Sequence, residues 1–242
     1  MTPKHTFYTP ETPVEGMVSL PEAEARHAAR VLRLVKGDSV LLVDGRGTRF
    51  LADLVEVDRR GVLARIVSSE MVVPSMPLPV TLGAGLIKNA ARFETMLEKA
   101  AELGAARIVP LETERSERSR LRMDRSRAIL ESAMKQSGAA HLVALQEPTP
   151  FPAFLDAVPE SALKLICHEA VRPEETLLRF LAAHPQPDAI VLAVGPEGGF
   201  SDDEVGSARD KGFSPVSLGR ARLRAETASI AALSVIAQHY PE

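Results

Sequence analysis

Residues 189–204 decide the fold and read AIVLAVGPEGGFSDDE. Six apolar residues of strand length run into a glycine loop, residues 195–200, and Ser201 to Glu204 form a capping-box pattern that begins a helix. A strand, a glycine loop and a helix N-terminus in this order form a ligand-binding position at the carboxyl end of an open α/β sheet. The stretch therefore predicts an α/β fold with a binding site at this loop.

Three interpretations of the loop remain open. Helix N-termini attract phosphate, but Glu197 and residues 202–204 would surround it with carboxylates, and no lysine stands where a phosphate loop needs one. A neutral or cationic ligand, such as the sulfonium and amino groups of S-adenosylmethionine, suits those carboxylates and the close backbone approach that glycine allows. The third interpretation is a tight turn that uses glycine only for its positive φ.

The chain on both sides of this stretch divides into two regimes. Residues 1–73 hold one helix pattern at 21–34 and three β-rich segments split by glycine turns, which indicate a small barrel. Residues 72–79, VVPSMPLP, form a stiff linker. Strand and helix patterns then alternate, which indicates a largely parallel sheet with helices on both faces. The division predicts domains at 1–73 and 78–242. The strand patterns lie at 39–44, 48–57, 61–67, 80–86, 107–111, 142–145, 162–167 and 189–194, and the further helix patterns at 89–103 and 126–136.

Composition excludes several classes of protein. The 242 residues carry a net charge of −3, which excludes nucleic-acid binding by bulk positive charge but not through a local basic face. One cysteine excludes a disulfide scaffold and multi-cysteine zinc sites, and the histidines lack metal-ligand spacing, so no metal is expected. The absence of a signal-peptide pattern or a spanning apolar run leads us to expect a cytoplasmic protein.

A second constellation lies at residues 218–228, LGRARLRAETA. Three arginines stand close to Glu226 where a strand gives way to the last helix, and a carboxylate is favoured in that first turn by the helix dipole. On these residues alone, a charged loop with a helix cap explains the pattern equally well.

The two constellations together resemble the RsmE family of SPOUT-type methyltransferases, which methylate N3 of a uridine in small-subunit ribosomal RNA. The resemblance rests on GPEGGFSDDE (195–204) followed by LGRARLRAETASIAAL (218–233), and it extends through FETMLEKAAELGAARIVPLETERSER (93–118) and MKQSG (134–138). At the N-terminus, RHAARVLRLVKGDSV (26–40) and LLVDGRG (41–47) are similar to the start of the family's PUA-like RNA-binding domain.

The resemblance implies an α/β, trefoil-knotted SPOUT domain preceded by a small PUA-like β-barrel. It implies S-adenosylmethionine as cofactor, held by three loops, and methylation of uridine N3 in 16S rRNA. Ribose 2′-O methylation and a non-catalytic RNA-binding role remain alternatives, and a nucleotide-phosphate enzyme is disfavoured by the carboxylates. The cofactor-binding residues that the resemblance implies are Ile166, His168, Glu169, Val194, Gly195, Pro196, Glu197, Gly198, Gly199, Phe200, Leu218, Gly219, Leu223, Arg224 and Thr227.

Two residues are the candidate catalytic groups. Neutral uridine N3 carries a proton and is a poor nucleophile, so the enzyme must remove that proton or stabilise the anion left behind. We expect Arg224 to stabilise negative charge on the uracil oxygens, and Glu226 to take the proton or to orient Arg224. A structural pairing of Arg224 with Glu226 is the alternative.

Clustered arginines indicate RNA as the partner. Residues 115–127 hold six arginines against two carboxylates, and Arg26, Arg30 and Arg33 recur at helical spacing. Arginines with few aromatics suit phosphate contacts and duplex shape, although each cluster alone is also typical of a solvated face. The candidate RNA-binding residues are Arg26, Arg30, Arg33, Arg115, Arg118, Arg120 and Arg122.

The last helix pattern, residues 228–237, is apolar nearly all round, which indicates deep burial or a partner. Since the family is dimeric, we expect a homodimer that acts on small-subunit rRNA or an assembled small subunit. Neither a membrane nor DNA is expected as a partner.

Overall fold

The computed structural model describes residues 3–58, 60–117, 120–169, 175–185 and 187–240. Two compact units divide the chain: Met1–Pro74 with Glu131–Leu142, and Ser75–Leu130 with Val143–Glu242. The sequence-based division placed residues 131–142 in the second domain, whereas the structure places them in the first unit. Met134 and Ala140 share a buried cluster with Val43, and the amide of Gly47 donates to the carbonyl of Ala140 at 2.9 Å, so both packing and hydrogen bonds tie the segment to the first unit.

The first unit is built on a five-stranded sheet. Its strand order is β1-β3-β4-β5-β2, with β3, β4 and β5 antiparallel and β1 parallel to β3. The three predicted β-rich segments are confirmed as β3, β4 and β5, whereas β1 and β2 are three residues each and too short to show a period in sequence. The elements are β1 Thr6–Tyr8, β2 Met17–Ser19, α1 Glu22–Arg26, a π-helical turn His27–Val31, β3 Ser39–Val43, β4 Thr48–Val57 and β5 Val62–Met71.

The N-terminal helix is shorter than the sequence predicted. It begins as an α-helix, continues as the π-turn and ends at Val31 rather than at residue 34. Arg33 then adopts a left-handed backbone with φ 56°. The i, i+4, i+7 face predicted for Arg26, Arg30 and Arg33 is therefore wrong, because the π-turn changes the helical period and Arg33 lies outside the helix.

A group of partly buried charges lies in the first unit. Lys135 donates to Glu24, whose side chain is only 11% exposed. Burial and the neighbouring Glu24 raise the pKa of Glu131, although Lys135 opposes the shift. Burial, followed by the charge of Glu131, raises the pKa of Tyr8.

Replacing Glu131 with glutamine is expected to stabilise the protein at pH 8 and not at pH 4. A carboxyl whose pKa is raised in the folded state favours folding only while it is protonated, so its contribution is lost as the pH rises above the ordinary glutamate value of about 4.3. Urea midpoints of the Glu131→Gln variant and the parent at both pH values measure this effect. A gain in stability at pH 4 that vanishes at pH 8 would show that the pKa of Glu131 is not raised in the folded protein.

The second unit contains a seven-stranded, parallel sheet with helices around it, which confirms the predicted α/β class. Its main path is β12-β10-β11-β6-β7-β8, and β9 also pairs with β7. The strands are β6 Val80–Gly85, β7 Arg107–Glu112, β8 Ala144–Leu145, β9 Thr149–Pro150, β10 Leu163–Cys167, β11 Ile190–Val194 and β12 Ser214–Val216. The helices are α2 Ala90–Glu102, α4 Phe151–Asp156, α5 Leu177–Ala182, α6 Asp202–Asp210 and α7 Ala225–His239. Helix α3, Met123–Ser137, is divided between the units, with residues 123–130 in the second and 131–137 in the first.

Local sequence explains the elements that frame the sheet's carboxyl edge. Asn89 caps α2 by accepting from the amides of Ala91 and Arg92, and β11 is buried at every position, as its apolar run predicts. Helix α7 packs on α2, α5, β6 and β11. Within the described residues, no helix combines the length and apolarity needed to cross a bilayer.

Candidate active site

The predicted strand–loop–helix unit is present at the end of β11. Ser201 accepts from the amide of Glu204, and the Glu204 carboxylate accepts from the amide of Ser201 at 2.9 Å, which completes the capping box. Gly199 has φ 68°, and a Cβ on Gly195 would lie 3.0 Å from the Gly199 backbone. The loop therefore needs glycine at 199 for conformation and at 195 for close approach.

A glycine of the neighbouring strand sets the position of this loop. Gly85 ends β6, and a Cβ there would lie 2.8 Å from the carbonyl carbon of Gly195 and 2.5 Å from Cδ of Pro196. Only a residue without a side chain lets the loop lie so close to the sheet. We expect substitutions at Gly85 to displace the whole loop.

The opposite wall follows β12. The amide of Gly219 donates to the hydroxyl of Ser217 at 3.1 Å, and Gly219 has φ 112°. The loop then runs to Arg224, which is the N-cap residue of α7 but makes no capping hydrogen bond through its side chain. The guanidinium of Arg224 is thus not engaged in capping α7.

These loops enclose a cavity of about 540 Å³, a size typical of small-molecule and cofactor sites. The structure brings together thirteen of the fifteen residues predicted to bind the cofactor: His168, Glu169, Val194, Gly195, Pro196, Glu197, Gly198, Gly199, Phe200, Leu218, Gly219, Leu223 and Arg224.

Ile166 and Thr227 do not line the cavity. Ile166 is fully buried in the core beneath the sheet because strand side chains alternate in direction, and its neighbour Cys167 lines the cavity instead. Thr227 is exposed on the first turn of α7. Sequence reasoning missed Arg115, Cys167, Asp202, Val216, Ser217, Ala221, Arg222, Ala225 and Ala228 as cavity residues. Most of them flank predicted residues, but nothing in the sequence placed Arg115 there.

Cys167 is not an activated nucleophile. Burial raises the pKa of its thiol to about 12, so the group is protonated at neutral pH. A protonated thiol gives no support to a nucleophile–base pair of Cys167 with the neighbouring His168.

The two candidate catalytic residues have different surroundings. Arg224 lines the cavity and makes no ion pair within the described part of the chain. Glu226 does not line the cavity, and its carboxylate faces Nε of Arg92 on α2 at 3.6 Å. Its second oxygen is buried without a hydrogen-bond partner among the described residues. The contacts connect Glu226 to the α2–α7 packing rather than to Arg224.

Charges of both signs stand around the cavity. Glu169 and Arg222 face each other at 3.6 Å, both largely exposed. Glu197 accepts from the amide of Lys88 at 3.2 Å, and Lys88 in turn pairs with Glu117 at 2.7 Å. The lining therefore carries three carboxylates, Glu169, Glu197 and Asp202, and three arginines, Arg115, Arg222 and Arg224.

The structure separates the predicted RNA-binding arginines by environment. Arg30, Arg33, Arg120 and Arg122 are exposed, Arg26 pairs with Glu22, and Arg118 lies outside the described residues. Arg115 instead donates to backbone carbonyls of the glycine loop. The charge of residues 115–127 is also partly neutralised by pairs of Arg125 with Glu94 and of Arg127 with Glu147.

Comparison with known families accounts for both units. A model described as an RNA methyltransferase domain matches residues 74–237, and a model described as an RNA methyltransferase PUA domain matches residues 20–67. The chain belongs to this RNA methyltransferase family. The family resemblance read from the two constellations is thereby confirmed, together with the PUA-like and SPOUT-like fold class.

Relatives of this RNA methyltransferase extend over nearly its whole length. The Ribosomal RNA small subunit methyltransferase E of Synechocystis is 38% identical over 94% of this chain and 75% of its own. The solved Ribosomal RNA small subunit methyltransferase E of Neisseria gonorrhoeae, bound to S-adenosylmethionine, is 32% identical with a TM-score of 0.84, covering 98% of this chain and 97% of its own. A methyltransferase of Legionella pneumophila with bound S-adenosylmethionine is 33% identical, with a TM-score of 0.84 over 96% of each chain.

Proposed function

We propose that this protein transfers a methyl group from S-adenosylmethionine to N3 of a uridine in the 16S rRNA of the small ribosomal subunit. The observation that carries the proposal is the cavity between residues 195–200 and 218–224, which lies in a chain whose solved relatives hold this cofactor. The names of its relatives support small-subunit rRNA as the substrate.

The residues of the cavity fit the proposed cofactor. Space above Gly199 and Gly219 is open, since a Cβ at either position would meet nothing within 4 Å. The lining combines apolar side chains with carboxylates that suit a sulfonium and an ammonium group. Residues 195–200 and 218–223 would hold the cofactor chiefly through backbone groups. When bound, S-adenosylmethionine supplies an electrophilic methyl group on a positively charged sulfur.

The protein's own part in the reaction is to make uridine N3 a nucleophile. Loss of the N3 proton to solvent water leaves negative charge on the two flanking carbonyl oxygens of the base, and a guanidinium can stabilise that charge. Arg224 suits this role because it lines the cavity and has no carboxylate partner within the described chain. Glu226 faces Arg92, so we assign it the positioning of the first turn of α7 instead of proton transfer.

Nucleoside analysis tests the proposed reaction. Small subunits from a strain without this activity are incubated with the protein and methyl-labelled S-adenosylmethionine, and the rRNA is then digested to nucleosides. We expect label in N3-methyluridine, which lacks a Watson–Crick proton and also stops reverse transcriptase at one position. Label in a 2′-O-methylated nucleoside would show the alternative ribose reaction, and no label would contradict methyl transfer.

We further infer a homodimer in the cytoplasm, with the trefoil knot that the resemblance implies. Helix α7 buries Ala232, Leu233 and Ile236 within its unit and still leaves Ile230 and Val235 half exposed on other faces. Such a helix suits a second apolar contact. Sedimentation at micromolar concentration is expected to give twice the chain mass of 26.1 kDa, and a monomer would contradict the dimer.

A further inference from the structure

We propose that Arg115 is a positioning residue that fixes the backbone of the glycine loop, residues 195–200, in the conformation that receives the cofactor. In the sequence, this arginine is a candidate RNA-binding residue. The inference rests on the proposed function only in naming S-adenosylmethionine as the occupant of the cavity.

The guanidinium reaches two carbonyls of the loop through one nitrogen. Nη1 of Arg115 lies 2.9 Å from the carbonyl oxygen of Gly198 and 3.2 Å from that of Phe200. Since Nη1 carries two hydrogens, it can donate one to each oxygen. The stem of the side chain also lies against the loop, because a Cβ on Gly198 would be 3.0 Å from Cβ of Arg115.

Both peptide units that receive these hydrogen bonds are also held from their opposite side. The amide of Gly199, in the same peptide unit as the Gly198 carbonyl, donates to the carbonyl of Pro196 at 2.9 Å. The amide of Ser201, in the same unit as the Phe200 carbonyl, donates to the Glu204 carboxylate at 2.9 Å. A peptide plane bonded at both ends cannot rotate without losing a hydrogen bond, so Arg115 completes the fixation of the loop.

Arg115 is itself held in place by the turn after β7. Thr113 and Ser116 close this turn through two hydrogen bonds. The amide of Ser116 donates to the carbonyl oxygen of Thr113 at 3.0 Å, and the two hydroxyl oxygens lie 2.9 Å apart. The amide of Glu114 donates to the second oxygen of Glu204 at 2.9 Å. The Glu204 carboxylate therefore joins the turn to the start of α6. Because the backbone of Arg115 is held in this turn, its side chain loses little conformational entropy when it bonds to the loop.

The fixed loop matters because the proposed cofactor contacts are backbone groups. A backbone site binds tightly only if its peptide planes already point the right way, since reorientation on binding costs affinity. Removal of Arg115 leaves two carbonyls without this donor and lets their peptide units rotate. We therefore expect weaker binding of the cofactor and faster hydrogen exchange of the loop amides, with RNA affinity unchanged.

Hydrogen exchange in the protein without cofactor tests the proposal directly. In Arg115→Met, exchange of the amides of Gly199 and Ser201 is expected to be about tenfold faster than in the parent, and calorimetry should show Kd for S-adenosylmethionine about tenfold higher. Affinity for an rRNA fragment without cofactor should stay within about twofold, and Arg115→Lys should recover part of the loop protection. Thermal melting checks that the variants fold, which is expected because Arg115 is exposed.

The matched control is Arg122→Met, an exposed arginine of the same basic segment that does not line the cavity. This variant should leave loop exchange and cofactor affinity unchanged. Unchanged exchange and Kd in Arg115→Met would overturn the proposal, and a fall in RNA affinity alone would restore the RNA assignment. Failure of the parent protein to bind S-adenosylmethionine would overturn the proposed function, whereas the exchange comparison would still decide the role of Arg115.

Discussion

Replacing Arg224 with alanine is expected to lower kcat by about 10²–10³-fold, the usual cost of removing one donor that stabilises a developing anion. The guanidinium lines the cavity without an ion-pair partner in the described chain, so its charge is available to the uracil oxygens. Kd for S-adenosylmethionine should change by about threefold at most, because the interaction is made chiefly in the transition state. Single-turnover rates at saturating cofactor, with small subunits as substrate, measure the effect.

Arg220→Ala is the matched control for this prediction. Arg220 lies in the same loop with the same charge, but it is exposed and does not line the cavity. We expect its kcat to stay close to that of the parent. Equal losses of turnover and cofactor affinity in Arg224→Ala would contradict the catalytic role and would favour a structural one.

Replacing Gly85 with alanine is expected to disrupt the cavity, although Gly85 is not itself one of the residues predicted to bind the cofactor. The added Cβ would meet the backbone of Gly195 and the ring of Pro196, neither of which is a flexible side chain. Overpacking of this kind costs about 1–3 kcal/mol. We therefore expect a lower free energy of unfolding and a Kd for S-adenosylmethionine that is about 10- to 100-fold higher. Urea denaturation and calorimetry measure the two effects.

Gly206→Ala provides the corresponding control in the same unit. Gly206 lies in α6, and a Cβ there would meet nothing within 4 Å. Alanine in a helix interior is more favourable than glycine by about 0.5–1 kcal/mol, so this variant should be slightly more stable and bind the cofactor normally. Normal cofactor affinity in Gly85→Ala would show that the loop does not depend on its close approach to β6.

The parts of the site that lie along one local stretch could be predicted from the sequence. The apolar run, the glycines and the Ser201–Glu204 capping box each have a local physical signature, and the structure contains all three. The parallel sheet followed from alternating strand and helix patterns for the same reason. The resemblance added the second wall, residues 218–224, which has no such local signature.

Long-range contacts account for what the sequence did not reveal. Gly85 and Arg115 are 110 and 83 residues from the loop positions that they meet, Gly195 and Gly198. Glu226 looked like a partner for its near neighbour Arg224, but its carboxylate faces Arg92 across the α2–α7 packing. Residues 131–142 likewise belong to the first unit through contacts distant in sequence, both apolar packing around Met134 and backbone hydrogen bonds to residues 45 and 47.

Calorimetric titration of the purified protein with S-adenosylmethionine and, separately, with ATP shows which ligand the cavity between the glycine loop and residues 218–224 holds. We expect saturable binding of S-adenosylmethionine that Gly85→Ala weakens and Gly206→Ala does not, with no binding of ATP. Binding of ATP in its place, or affinity for S-adenosylmethionine that is indifferent to Gly85, would contradict this expectation.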